Sequence, residues 1–100
     1  MSQPVMFDWP FDTLERSMKI ATKRQEVITQ NIANAKTPGY EAQTFDEQLM
    51  QAVKRLDKKD VVLEEELSAL TENSVRYSAY VKLMTSRLGA LRSIITQGRR

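Results

Sequence analysis

The chain contains neither cysteine nor histidine, which excludes a disulfide scaffold, a thiol nucleophile, an imidazole base and the usual zinc clusters. Glycine and proline are scarce at three each, and aromatics make up 7% of 100 residues. These are too few turn and strand formers for an all-β fold. No stretch approaches the roughly 20 apolar residues of a membrane span. The start, Met1-Ser2-Gln3-Pro4, lacks the basic-then-apolar order of a cleaved signal peptide, so any route out of the cytoplasm is expected to be another one. What remains is a chain 28% charged and 41% hydrophobic, the composition of one small helical domain.

The net charge of +2 is unevenly spread: the middle of the chain is acidic and the last third basic. Glu64-Glu65-Glu66 opens the final apolar-periodic segment and Arg87, Arg92, Arg99 and Arg100 lie toward its end. A helix macrodipole favours that order. The arginines are too dispersed, and too little interleaved with aromatics, for a nucleic-acid surface.

Met1 to Phe11 carries Pro4 and Pro10 and has no helical period, so an extended arm is expected over residues 1–11. Asp12 and Glu15 have the spacing of a capping box. Leu14, Met18, Ala21, Gln25, Ile28, Ile32 and Ala35 then recur in steps of four and three, a heptad seam predicting a helix over about 12–35. Thr37-Pro38-Gly39-Tyr40 stops it, with Pro-Gly suited to the centre of a type II turn. Thr44 with Glu47, followed by Phe45, Leu49, Ala52 and Leu56 on one face, predicts a short helix over about 45–56. Beyond a polar break, a second seam of Leu63, Leu67, Leu70, Ser74, Tyr77, Val81, Met84, Leu88, Leu91 and Ile95 predicts a helix over about 63–97, capped by Gly98.

Two long seams with a short connection specify an all-α fold, an antiparallel two-helix coiled-coil hairpin forming a single domain over 12–98. Reversing the second seam pairs Leu14 with Ile95, Met18 with Leu91, Ala21 with Leu88, Gln25 with Met84, Ile28 with Val81, Ile32 with Tyr77 and Ala35 with Ser74. Periodicity alone would also permit a register shifted by a heptad, but this one uses the whole first helix and leaves Leu63 to Leu70 for the short helix at 45–56. Tyr80, Leu83 and Ile94, beside the second seam, are candidates for contacts between subunits. Gln25 and Ser74 suit either a register-setting role or mild defects, and Trp9 suits either a docking element or an aromatic staple.

The run Asn31-Ile32-Ala33-Asn34-Ala35-Lys36-Thr37-Pro38-Gly39-Tyr40 resembles the signature shared by the rod, hook and hook-associated proteins of the bacterial flagellar axis. Within that group, Met6-Phe7-Asp8, Val61 to Glu66 and Leu70-Thr71-Glu72-Asn73-Ser74-Val75-Arg76-Tyr77 resemble the proximal-rod (FlgB) family. The similarity covers roughly residues 6–43 and 59–98, with a middle section shorter than is usual in that family. Val62 also departs from it, standing where the family tends to have an acidic helix-start residue and leaving Asp60 as the expected cap.

The resemblance implies a structural axial subunit that self-assembles through its terminal helices around an export channel. The assembly motif is then Asn31, Ile32, Asn34, Thr37, Pro38, Gly39 and Tyr40. It implies as partners the other rod proteins, the rod-base adaptor FliE and the flagellar export gate. The location it implies is the periplasmic rod of the basal body, reached by type III export without a cleaved signal. No catalytic, metal, cofactor or small-molecule site is expected, and no nucleic acid. The competing class is a cytoplasmic helical adaptor or chaperone of a secretion system, built on the same hairpin. An enzyme is disfavoured because Glu64, Glu65 and Glu66 lie in a solvated helix start with no partner base.

Overall fold

The computed structural model describes residues 9–98. Four elements follow in order: α1 (Phe11–Ala33), β1 (Gln43–Asp46), β2 (Gln51–Lys54) and α2 (Leu63–Gly98). The two long helices pack against each other, and the strands form an antiparallel hairpin beside α1. Most of the arm expected over 1–11 lies outside the described residues, as do Met6-Phe7-Asp8, Arg99 and Arg100.

α1 begins one residue earlier than expected. Pro10 is its N-cap, at φ −60° and ψ 157°, and no side chain caps the helix. The Leu14 N–H donates to the Pro10 carbonyl at 3.1 Å. Asp12 therefore lies within the first turn, where its charge suits the helix dipole, and the Asp12–Glu15 capping box is not formed. α2 likewise starts without Asp60, since the Glu66 N–H donates to the Val62 carbonyl at 3.1 Å. Gly98 is still helical and is the last described residue.

The short helix expected over 45–56 is replaced by the hairpin. Phe45 faces Ala52 and Asp46 faces Gln51. At the bend, Asp46 Oδ1 accepts from the N–H groups of Gln48 and Leu49, each at 2.9 Å, and Met50 adopts a left-handed φ of 54°. A side chain that binds the backbone ahead of it in this way offers an alternative to helical hydrogen bonding. The helical stripe itself had nothing to cover it: Phe45 is buried, whereas Leu49 and Leu56 are exposed. Beyond the strands, the Arg55 N–H donates to the Ala42 carbonyl at 3.0 Å and the Ala42 N–H to the Lys59 carbonyl at 2.7 Å. The chain thus runs back alongside β1 before α2 begins.

The core is small. Leu14, Ala21, Val27 and Ile28 of α1 are buried, with Ala42 and Phe45 from the hairpin side. The only fully helix-borne burial on α2 among the described residues is polar, at Glu66 and Asn73.

The helix register also differs from expectation. Asn73 Nδ2 donates to the Ala21 carbonyl at 2.8 Å, the Arg87 guanidinium lies 4.5 Å over the Phe11 ring, and Tyr80 stacks on Trp9 with centroids 6.4 Å apart. Ala21 is therefore opposite Asn73 rather than Leu88, and the pairings Leu14–Ile95, Met18–Leu91, Gln25–Met84, Ile28–Val81, Ile32–Tyr77 and Ala35–Ser74 are not made. The face of α2 that meets α1 and the hairpin carries Glu66, Asn73, Tyr80 and Arg87, a seven-residue row one position before the aliphatic row Leu67, Ser74, Val81 and Leu88. Heptad spacing fixes neither the register nor the choice between adjacent rows. Specific polar and aromatic partners choose them here.

This register predicts a crosslinking pattern. In a chain free of cysteine, Ser17→Cys with Tyr80→Cys, which line one small cavity, should be joined efficiently by a short bismaleimide. Ile28→Cys with Val81→Cys should not. Mass spectrometry of the crosslinked monomer distinguishes the two, and the reverse pattern would reject the observed packing.

Candidate functional site

The signature run at the end of α1 folds into a locked turn. α1 stops at Ala33 with Asn34 as its C-cap, whose N–H reaches the Gln30 carbonyl at 3.0 Å. The Asn34 side chain works in both directions. Its Nδ2 donates to the Gln30 carbonyl at 2.9 Å, and its Oδ1 accepts from the Thr37 hydroxyl at 3.2 Å. The Thr37 N–H donates to the Asn34 carbonyl at 2.9 Å and the Tyr40 N–H to the Thr37 carbonyl at 3.2 Å. With Gly39 at φ +80°, the Thr37–Tyr40 segment is the type II turn expected from Pro-Gly.

Asn31 holds the returning chain. It is 1% exposed, and its amide pairs with both backbone groups of one residue. Nδ2 donates to the Gln43 carbonyl at 2.8 Å, while Oδ1 accepts from the Gln43 N–H at 3.0 Å. Oδ1 also accepts from the Tyr40 hydroxyl at 2.8 Å. One buried side chain therefore satisfies the groups at the entry to β1 that no neighbouring strand reaches.

The charged residues around this lock are arranged in sequence. Glu66, 4% exposed, faces Arg55 with Nη1 to Oε1 at 3.5 Å. Arg55 Nε in turn donates to Asp57 Oδ1 at 2.9 Å. Burial, and secondarily the Glu66 charge, push the Tyr40 phenol above its ordinary pKa. The phenol thus stays protonated and remains a donor to Asn31. The Arg55 hydrogen bond holds the Asp57 carboxyl below the usual range, and the hydrogen bond and charge of Lys54 do the same for Glu41. A cleft of about 660 Å³ opens between the hairpin, α1 and the start of α2, lined among others by Arg24, Phe45, Arg55 and Glu66.

The residues expected as an assembly motif are brought together, with Asn31, Asn34, Thr37 and Tyr40 bonded within the chain and Ile32 half-buried. Pro38 and Gly39 are exposed at the tip. Of the expected seam residues, Leu14, Ala21 and Ile28 are buried and Met18, Ile32, Val81 and Met84 half-buried. Tyr77, Leu88, Leu91 and Ile95 are exposed. Among the expected subunit-contact residues, Tyr80 stacks on Trp9 within the chain, Leu83 is half-buried and Ile94 is 64% exposed. Sequence reasoning missed Gln43, Arg55, Glu66 and Asn73. A signal for Glu66 and Asn73 did exist, in their seven-residue spacing with Tyr80 and Arg87.

The helix and locked turn together are what the comparisons with known proteins pick out. Residues 11–40 match the family described as Flagella basal body rod protein, from the first residue of α1 to the last residue of the turn. Over that stretch the chain is similar to the family. Over nearly its full length the chain is also distantly similar to the flagellar basal body rod protein FlgB of Bacillus subtilis (strain 168), to which it is 25% identical. The alignment covers 94% of this chain and 98% of that protein. It runs to 127 residues, so the relative carries residues that this chain lacks. No described helix is long and apolar enough to cross a membrane.

Two predictions follow from the lock. Asn31→Ala leaves both Gln43 backbone groups and the Tyr40 hydroxyl without their partner, and should cost about 1–3 kcal/mol in chemical unfolding. At Gly39 a Cβ would meet nothing within 4 Å, so only the positive φ resists substitution. Gly39→Val should then cost about 1–2 kcal/mol and Gly39→Asn clearly less. Equal losses for these two would show that the backbone angle is not the constraint.

The lowered carboxyls also set a pH dependence. A depressed pKa adds stability that is present above the ordinary carboxylate range and is lost as pH falls through the depressed value. The Arg55–Asp57 and Lys54–Glu41 pairs should therefore hold at pH 5 and release only below about pH 4. Amide chemical shifts of residues 41–57 should move in that acid window and stay level from pH 5 to 8.

Proposed function

We propose that this chain is an axial structural subunit of the flagellar rod, at its proximal end, and that it assembles with copies of itself and with neighbouring rod proteins around the export channel. The observation that carries the reading is the Asn31–Tyr40 signature, which the family match spans and which folds into a rigid, outward-facing turn with Pro38 and Gly39 at its tip. The similarity to FlgB favours the proximal position, with the other rod proteins, the rod-base adaptor FliE and the export gate as neighbours. On this reading Asn31 and Asn34 shape the turn, and the exposed Thr37-Pro38-Gly39 tip and Ile94 offer contact to a neighbour. The residues present in the relative and absent from this chain fit a shortened middle section, with the hairpin of β1 and β2 in its place.

Export through a type III apparatus without a cleaved signal suits a chain whose core is as small as this one. Much of the apolar surface of α2 is left open, including Leu88, Leu91, Ile94 and Ile95. Burial in an assembly would contribute the stabilisation that the isolated chain lacks. Deleting the gene in its source bacterium should abolish swimming, and an epitope-tagged copy should restore it and copurify with basal bodies. Normal swimming of the deletion strain, with the tagged chain confined to the cytosol, would replace this reading with the adaptor or chaperone one. Hydrogen exchange adds a second check. Residues 88–98 should exchange rapidly in the dilute chain while residues 21–31 are protected, and the contrast should vanish in assembled rods.

A further inference from the structure

α1 covers only one side of α2. The aliphatic row expected to face α1 is instead open toward both ends of the helix, with Leu63, Leu67, Leu88, Leu91 and Ile95 between 42% and 56% exposed, and half-buried at Leu70, Val81 and Met84 between them. A stripe at heptad spacing, exposed over the first and last turns of a helix of 36 residues, has the form of a coiled-coil face without its second strand.

The spacing of the stripe is the same in both directions, with leucine and isoleucine at both ends and Ser74, Tyr77, Val81 and Met84 at the centre. Laid against a reversed copy of itself, Leu63 meets Ile95, Leu67 meets Leu91 and Leu70 meets Leu88, and the same three pairs recur at the other end by symmetry. Charge decides the direction. Every acidic residue of α2 lies between Glu64 and Glu72, and every basic one from Arg76 onward. Parallel, in-register pairing would place two acidic ends together and two basic ends together, whereas antiparallel pairing places each acidic end on a basic one. Beside the stripe, on the side away from α1, this brings Glu64 of one copy to Arg92 of the other, twice. Neither side chain has an ion-pair partner among the described residues.

We propose that the exposed stripe of α2 binds the α2 stripe of a second copy of this chain, antiparallel, to form a closed two-fold dimer. The contact is isologous, so it closes on itself and cannot propagate. It is therefore a soluble state that hides the stripe, separate from any polar assembly in which all copies point the same way. The proposal does not depend on the rod reading, and each can fail without the other.

Single cysteines on the full chain provide the test. Ser78, exposed and beside the centre of the stripe, meets its own copy across the two-fold axis. Ser78→Cys chains should form disulfide-linked dimers on mild oxidation. Glu64→Cys alone should not, but mixed with Arg92→Cys it should form the heterodimer. Light scattering should give twice the monomer mass for the unmodified chain. That mass should revert to monomer in Glu64→Arg and in Arg92→Glu, and return to dimer in the double variant, with circular dichroism confirming that all remain helical. Self-linking of Glu64→Cys without Ser78→Cys would establish parallel pairing and overturn the proposal. Linkage of Glu64→Cys to Arg92→Cys in open-ended oligomers, again without Ser78→Cys, would overturn it in favour of head-to-tail growth. A monomeric mass up to the solubility limit would overturn it outright.

Discussion

The buried amide of Asn31 is the interaction on which the rest of the structure depends. A helix that ends against a returning chain leaves backbone donors and acceptors facing a place where no strand can reach them. Asn31 fills that place with one donor and one acceptor in the geometry that Gln43 requires. Its second lone pair takes the Tyr40 hydroxyl, which fixes the far side of the turn. An aspartate could not supply the donor, and a glutamine would add a methylene in a site with no room for it at 1% exposure.

From that point the placement of each later element follows. Holding Gln43 sets the start of β1, which buries Ala42 and Phe45 against α1. The hairpin brings Arg55 back beside Ala42 through a backbone bond, and Arg55 receives the buried carboxylate of Glu66 as α2 begins. Seven residues on, Asn73 finds the Ala21 carbonyl and the Gln25 amide. Tyr80 then meets Trp9 and Arg87 meets Phe11. Aliphatic side chains would tolerate several registers at small cost, but buried polar groups do not, because each must meet its own partner or lose a hydrogen bond. That is why a helix pair with a thin apolar core still has one register.

The parts of this fold that could be read in the sequence are those set by local chemistry. Helix periods at Leu14 to Ile28 and along Leu63 to Ile95 required helices, and Pro38-Gly39 required a turn with Gly39 at positive φ. The hairpin was hidden because Phe45, Leu49, Ala52 and Leu56 happen to keep helical spacing, while the deciding contacts, Asp46 with its own backbone and Ala42 with Arg55 and Lys59, leave no periodic trace. The helix register was hidden for a related reason. The aliphatic residues keep the heptad period, whereas the row in contact carries Glu66, Asn73, Tyr80 and Arg87. The signature run was legible as a unit, yet the use of Asn31 within the chain depended on Gln43, a residue with nothing in the sequence to mark it.

A largely exposed aliphatic row one position from a polar row with partners inside the chain makes α2 a helix with two separate duties. The polar row meets fixed partners inside the chain, so its contacts are made once and do not exchange. The aliphatic row has no such partner in the isolated chain, and apolar contacts impose little directional demand. It can therefore be covered by different neighbours in different states without disturbing α1, the turn or the hairpin. Separating the rows confines specificity to the inside of the chain and leaves association to an outer surface, where charge order along the helix determines which orientation of a neighbour is favoured.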